Sequence, residues 1–326
     1  MIRTRICDLL GIEHPIVLGG MATGTSAPLV AAVSNAGGFG TIGLGLRNEE
    51  EVPGIIDDIR ERTEKPFGVN FLLFRFEEAA FAAALAAKPP VVAFAWPRAD
   101  QDLRSLFDRA HEAGAKVMFQ AGEVADLKRA AEAGADVIVV QGTEGGGHVG
   151  WMATLPLLPM AVDAVAPVPV LAAGGIADGR GLAAALALGG EGVLLGTRFL
   201  ATEESPIHPN FKEAIVASDG HDTLLTEIPD IVLETVWPGA MSRALRNDFI
   251  ERWAGKEWAL RQHQAAAFEK VQAAGKSGDA AEGRLLIGQD AGLIHDIPPA
   301  GELVRRIAAE AEEILAKRLP SFLQAG

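Results

Sequence analysis

The chain has no tyrosine and a single cysteine, Cys7. Without a phenol, proton transfer in any catalytic site falls to His, Asp, Glu, Lys or the one thiol. Without a second cysteine no internal disulfide can form, which makes a reducing compartment the simpler setting. Basic residues are in deficit too: 29 Lys and Arg stand against 43 Asp and Glu, a net charge of −14. That balance disfavours a nucleic-acid footprint and an anionic membrane surface, so neither partner is expected. Long apolar runs are missing as well. The opening MIRTRICDLLGIEHPIVLGG is broken by Asp8, Glu13 and His14, leaving no core for a secretory signal, and no run of about 18 apolar residues marks a membrane span. Together these features predict a cytoplasmic protein that works on small molecules.

What is plentiful is apolar bulk and glycine: 49% of the 326 residues are hydrophobic and 37 are glycine. Four stretches, VSNAGGFGTIG (33–43), HEAGAKVMF (111–119), AEAGADVIVV (131–140) and LALGGEGVLLG (186–196), share one joint. Each ends an alanine-rich helical pattern on glycine, which suits the left-handed position after a helix, and runs straight into a β-branched segment. With PIVLGG, KPFGVNFLL, PPVVAFAW and VPVLAAGG they make eight candidate strands, starting near residues 15, 39, 67, 91, 116, 136, 168 and 192. Continuous apolar character and helix-sized gaps predict a (β/α)8 TIM barrel, with a doubly wound open sheet as the alternative.

After Gly196 the pattern changes. Residues 205–217 read as a capped helix, 240–275 as helical with Trp253, Trp258 and Phe268 as apolar bulk, 275–283 as a linker, and the stretch from Pro299 as a final amphipathic helix. The expected organisation is a barrel over 1–225 that binds the cofactor, a helical insertion over 226–285 on the substrate side, and a segment over 286–326 returning to the barrel.

Chemistry in such a barrel sits at the C-terminal strand ends. These are Gly20 to Thr23, Gly43 to Gly45, Asn70, Trp96, Gln120, Gln141 to His148, Ala173 to Ala177 and Gly196 to Arg198. No lysine stands among them, which removes Schiff-base chemistry, and no carboxylate cluster offers a metal site, so no metal ligands are expected. Neutral amides and glycine backbone remain. The loops AAGGIADG (172–179) and GTRF (196–199) fit the phosphate site of a barrel, where bare N–H groups receive an anion. Flavin mononucleotide (FMN) satisfies both halves: phosphate on Gly174, Gly175, Gly196 and Thr197, ring near Gly20, Met21 and the amides. Gly38, Gly40 and Gly43 spell a dinucleotide fingerprint but lie inside a strand, and GKS at 275–277 lacks the remaining P-loop glycine.

The stretch GTEGGGHVG (142–150) sets five glycines around His148. Such glycines suit close approach of backbone to a ligand, at which the imidazole is then aimed. Glu144 could orient His148, though a solvated carboxylate is the simpler role. The other histidines lie before strands, on helices or in polar loops, and His208 stands where capping is the default.

HPIVLGGM, KPFGVN, GTEGGGHVG, AAGGIADGRG, GTRFLATEESPIHPNFK and GQDAGLI together resemble the nitronate monooxygenase (2-nitropropane dioxygenase) family of FMN-dependent barrels, which also includes FMN-dependent enoyl-ACP reductases and some quinone reductases. The resemblance implies FMN held by Gly20, Met21, Asn70, Gln120, Gln141, Gly146, Ala173, Gly174, Gly175, Gly196 and Thr197, with Gln289 near the ring and His148 catalytic. It implies oxidation of nitronates or nitroalkanes by O2, with a homodimer as the assembly to look for. An NAD(P)H-dependent enoyl-ACP or quinone reductase is the alternative on the same barrel. Docking an acidic carrier would need a basic face, for which residues 243–261 offer Arg243, Arg246, Arg252, Lys256 and Arg261 against three acids. A flavin-binding protein without turnover is the alternative from another class.

Overall fold

The computed structural model describes residues 1–45 and 47–323. Eight parallel strands form the barrel: β1 (Ile16–Leu18), β2 (Gly40–Gly43), β3 (Phe67–Leu72), β4 (Val91–Ala95), β5 (Lys116–Ala121) and β6 (Val137–Gln141), then, after β7 (Gly147–Val149) of a separate sheet, β8 (Val170–Ala173) and β9 (Gly192–Leu195). Their order is β1-β9-β8-β6-β5-β4-β3-β2. The ring closes between β1 and β2, where Leu18 N donates to Phe39 O and Phe39 N to Ile16 O, at 2.8 and 2.9 Å. All eight strands lie where the apolar runs place them.

The two-residue period of each strand divides the core. Ile16, Leu18, Phe94, Ile138 and Val140 point outward and pack under the helices. Val17, Phe39, Val91, Ala93, Met118, Val137, Val139 and Leu171 point inward, and the N-terminal helix Arg5–Leu10 plugs that interior with Ile6, Cys7 and Leu10. Cys7 is thus a small buried apolar group. The same alternation carries the inner face upward to Asn70, Gln120 and Gln141, which is why amides rather than aliphatic side chains finish these strands at the mouth.

Beyond β9 the chain differs from an all-helical insertion. Residues Thr223–Thr226 (β10) and Met241–Leu245 (β11) are strands, and with β7 they make an antiparallel sheet in the order β10-β11-β7. Met241–Leu245 falls within the stretch expected to be helical. Its three central residues, Ser242, Arg243 and Ala244, are all buried, as suits a central strand between β10 and β7 with both faces covered. The helices Ile228–Val232, Asp248–Trp253, Glu257–Gln262 and Gln264–Ser277 pack around a small core of Ile228, Val232, Ala244, Phe249, Ile250 and Leu260. Trp258, expected to add apolar bulk, is instead 68% exposed. The last long helix starts at Ala300 with Pro299 as its cap, and His208 Nδ1 accepts from Asn210 N at 3.2 Å, capping the helix Pro209–Ala217. Among the described residues no helix is long and apolar enough to cross a membrane.

Candidate active site

A cavity of about 340 Å³ opens at the C-terminal mouth of the barrel, a size at which small molecules are commonly bound. Gly20, Met21, Asn70, Gln120, Gln141, Gly146, His148, Ala173, Gly174, Gly175, Gly196 and Thr197 all line it. Gln289 does not: its side chain is exposed, and its backbone N–H donates to Glu144 O at 2.8 Å. The neighbouring Asp290 lines the cavity in its place, because in the 3-10 turn Gln289–Leu293 each side chain is rotated by about 120° from the one before.

The floor of the cavity is backbone. Gly174 and Gly175 hold φ of +92° and +74°, the left-handed region that favours glycine. Among the described residues the N–H groups of Gly174, Gly175, Gly196 and Thr197 donate to no protein acceptor. A row of unsatisfied donors in a cleft is a place for an anion. Above it, Gln120 Nε2 donates to Gln141 Oε1 at 2.8 Å, and a Cβ on Gly20 would lie 2.5 Å from Asn70 Cβ, so a bare backbone is required beside that amide. The buried Thr41 hydroxyl also faces this cavity with no protein partner among the described residues.

Of the glycines of 142–150, Gly145, Gly146 and Gly147 line the cavity, and Gly142 and Gly146 are also required by close packing within the protein. A Cβ on Gly142 would strike Thr154 at 2.0 Å, and one on Gly146 would sit 2.5 Å from Gly288 N. They let the loop fold down onto the helix Thr154–Val165 and onto the returning segment at 287–288. Gly147–Val149 is then free to pair as β7. Glu144 neither orients His148 nor stands free in solvent: its carboxylate accepts from Thr154 N at 2.9 Å and from Thr154 Oγ1 at 3.0 Å, bracing the start of that helix.

Pairing of β7 decides what His148 touches. Ser242 of β11 is its direct cross-strand partner, so the two side chains share a face. Ser242 Oγ lies 2.9 Å from His148 Nε2 and donates to Asp230 Oδ2 at 3.0 Å, while Asp230 Oδ1 lies 2.7 Å from the same Nε2. A carboxylate there favours the proton on Nε2 and leaves the lone pair on Nδ1, which makes no hydrogen bond among the described residues. Trp237 stacks on the imidazole at 3.4 Å between centroids and 12° between planes, and it meets Phe74 at 4.2 Å and Trp96 edge-on at 5.8 Å. These rings form an apolar wall beside the histidine.

Two charged groups complete the lining. Burial pushes the Asp290 carboxyl up to about 7, opposed by its own backbone N–H, Arg198 and Thr197. Burial lowers the pKa of Arg284, against the pull of Asp230. Asp230, Trp237, Ser242, Arg284 and Asp290 carry no local sequence signal. Each lies in the insertion or just after it and reaches the mouth through tertiary contact.

The basic stretch 243–261 is largely neutralised. Arg246 pairs with Glu251, Arg252 with Glu282 and Arg261 with Glu227, while Arg243 is buried and donates to Thr143 O at 2.9 Å.

The cavity thus sets the His148–Asp230 pair at the C-terminal mouth of a parallel barrel, over glycine backbone with unsatisfied N–H groups. The sequence profile of the nitronate monooxygenase family matches residues 3–88 and 78–310, and the chain belongs to that family. It is 36% identical, over 95% of its length and 96% of the relative's, to a 5-hydroxy-7a-methyl-1-oxo-octahydro-1H-indene-4-carboxyl-CoA dehydrogenase of Mycobacterium tuberculosis. It is 33% identical to a probable nitronate monooxygenase of Staphylococcus aureus, over 78% of this chain and 81% of the relative. Among solved structures it resembles FabK from Thermotoga maritima, with a TM-score of 0.88 and 36% identity over 99% of this chain and 100% of that one. It also resembles nitroalkane oxidase from Streptomyces ansochromogenes, with a TM-score of 0.81 and 29% identity over 95% and 99%.

Proposed function

We propose that this oxidoreductase is FMN-dependent and oxidises nitronates or nitroalkanes with O2 to carbonyl compounds and nitrite. The observation that carries the reading is His148, held at Nε2 by Asp230 with Nδ1 free, in the same cavity as the unsatisfied N–H groups of Gly174, Gly175, Gly196 and Thr197. Those donors fit a phosphate. The Gln120–Gln141 pair and Asn70 fit the polar edge of a heterocycle, since neutral amides both donate and accept. Bound there, the flavin supplies the electron acceptor that no side chain of this site provides.

His148 takes the α-proton of a neutral nitroalkane on Nδ1. The electron pair of the broken C–H bond becomes the C=N bond of the nitronate, and the resulting imidazolium is stabilised by Asp230 through Nε2. Phe74, Trp96 and Trp237 exclude water from one side of the substrate. A substrate that arrives already ionised needs no base. Apart from the small-molecule substrate and O2, no partner enters this scheme.

A second reading is oxidation or reduction next to a thioester, with a nicotinamide as the other redox partner. It is favoured by the indene-carboxyl-CoA dehydrogenase relative, whose match covers 95% of the chain against 78% for the probable nitronate monooxygenase. An α-proton beside a thioester carbonyl meets the same base. Purified protein is expected to be yellow and to release FMN on acid treatment, and to consume O2 with nitroethane and ethyl nitronate. Release of FAD would overturn the cofactor. Rapid anaerobic bleaching by NADH or NADPH, with no O2 consumption on either nitro compound, would select the second reading.

A further inference from the structure

Arg284 lines this cavity and, among the described residues, has no ion-pair partner. It lies just before Leu285 and Leu286, and all three line the cavity with His148, Asp230 and Trp237. The residue is half-buried, and among the described residues its guanidinium makes no hydrogen bond or ion pair, so its donors are open to the cavity. Its neighbours are served differently. Arg243 donates to Thr143 O and Thr223 Oγ1, Arg75 reaches Thr235 Oγ1, and Arg198 pairs with Asp296. The carboxylate that acts on Arg284 is Asp230, but its two oxygens already accept from His148 and Ser242. A guanidinium carries five N–H donors in a planar fork, and donors that no protein acceptor serves in a ligand-sized cleft are available to an anion.

We infer that Arg284 receives a planar two-oxygen anion of the substrate, pairing both oxygens of a nitronate or of a carboxylate. The fork matches either group in shape, because each places two oxygens in one plane with a shared negative charge. In the nitronate case the anion charge develops as His148 removes the proton, and Arg284 stabilises it at the reacting centre. In the carboxylate case the charge lies elsewhere on the substrate and Arg284 sets its orientation. The inference takes from the proposed function only that the substrate occupies this cavity.

The purified protein and its variants Arg284→Lys, Arg284→Gln and Arg284→Met are titrated with propanoate, a non-reacting two-oxygen anion, and with neutral propanamide, reading the heat of binding by calorimetry. Steady-state O2 uptake is measured with ethyl nitronate and nitroethane. Propanoate is expected to bind the wild type at least about tenfold more tightly than propanamide. The Gln and Met variants are expected to lose propanoate affinity by about 100-fold, the scale of a buried charge-assisted pair, with propanamide unchanged and Lys restoring part of the loss.

If the nitronate is the natural occupant, the KM for ethyl nitronate rises in the same variants and propanoate competes with it. Arginine-dependent propanoate binding without O2 uptake on either nitro compound supports the receptor with a carboxylate substrate, and removes the nitronate reading instead. Equal binding of propanoate and propanamide, or full propanoate affinity in Arg284→Met, overturns the inference. So does a change confined to flavin retention, which would assign the cation to the cofactor.

Discussion

Asp230 Oδ1 lies 2.7 Å from His148 Nε2, although 82 residues separate the two in the chain. The contact arises because β7 and β11 pair His148 with Ser242, and the helix Ile228–Val232, just after β10, sets Asp230 over that pair. His148 is therefore positioned by a sheet that barrel and insertion build jointly. The insertion thus supplies the groups that hold His148 as well as part of the cavity lining.

Asp230→Asn tests this positioning. An amide can present N–H to Nε2 and so favour the wrong tautomer, with the proton on Nδ1. Activity on neutral nitroethane is expected to fall about 100-fold, the range of a lost general base, while oxidation of preformed ethyl nitronate falls much less. Equal losses on both substrates would make Asp230 a structural brace only.

His148→Asn should show the same split more strongly. The amide keeps a polar contact with Asp230 but accepts no proton at neutral pH, so nitroethane turnover is expected to drop by at least about 100-fold with nitronate turnover largely kept. Steady-state O2 uptake with the two forms of one compound measures it. Unchanged turnover of both would remove His148 from the chemistry.

Trp237→Ala removes the ring stacked on His148 at 3.4 Å. Loss of an aromatic pair is worth about 1 kcal/mol beyond buried area, so KM is expected to rise several-fold, with a smaller change in kcat and a preference shifted toward bulkier nitroalkanes. A homologous series from nitroethane to nitrohexane would show the shift. An unchanged chain-length profile would place Trp237 outside the substrate's reach.

Asp290 predicts a pH dependence of stability. Burial raises its carboxyl from 3.8 to about 7, so between those values the folded protein holds a proton that the unfolded chain releases. Stability from this group is fully present below about pH 4 and is lost as pH rises toward 7, at about 1.4 kcal/mol per unit and about 4 kcal/mol at most. Urea midpoints near pH 5 and near pH 8 should differ in wild type and converge in Asp290→Asn. The ionised carboxylate lies beside Thr197, so flavin retention should also weaken above pH 7 in wild type alone. Equal midpoint shifts in both proteins would assign the slope to other groups.

The local joints were legible because each depends on a few consecutive residues. VSNAGGFGTIG and AEAGADVIVV hold a helix end, its glycine and the next strand within about ten positions, and the structure places β2 and β6 there. The mouth-facing amides Asn70, Gln120 and Gln141 followed from strand ends and the two-residue period. Gln289 lies outside the cavity lining and Asp290 within it, a difference that the sequence does not carry because in a short turn one position decides which side chain faces in. Met241–Leu245 looked helical because it is followed by helical residues and its strand character depends on β7 and β10.

By itself the sequence determined the eight-stranded barrel, the paired glycine loops at its mouth and the presentation of His148 there. Hydrophobic periodicity and glycine chemistry act over a few residues and survive without knowledge of the rest. Only the tertiary structure decided that His148 is held by Asp230 and Ser242 and covered by Trp237. Those contacts join positions 82 to 94 residues apart through an antiparallel register and a returning strand. No local pattern encodes such pairing, because the free energy that selects it comes from burying the whole insertion against the barrel.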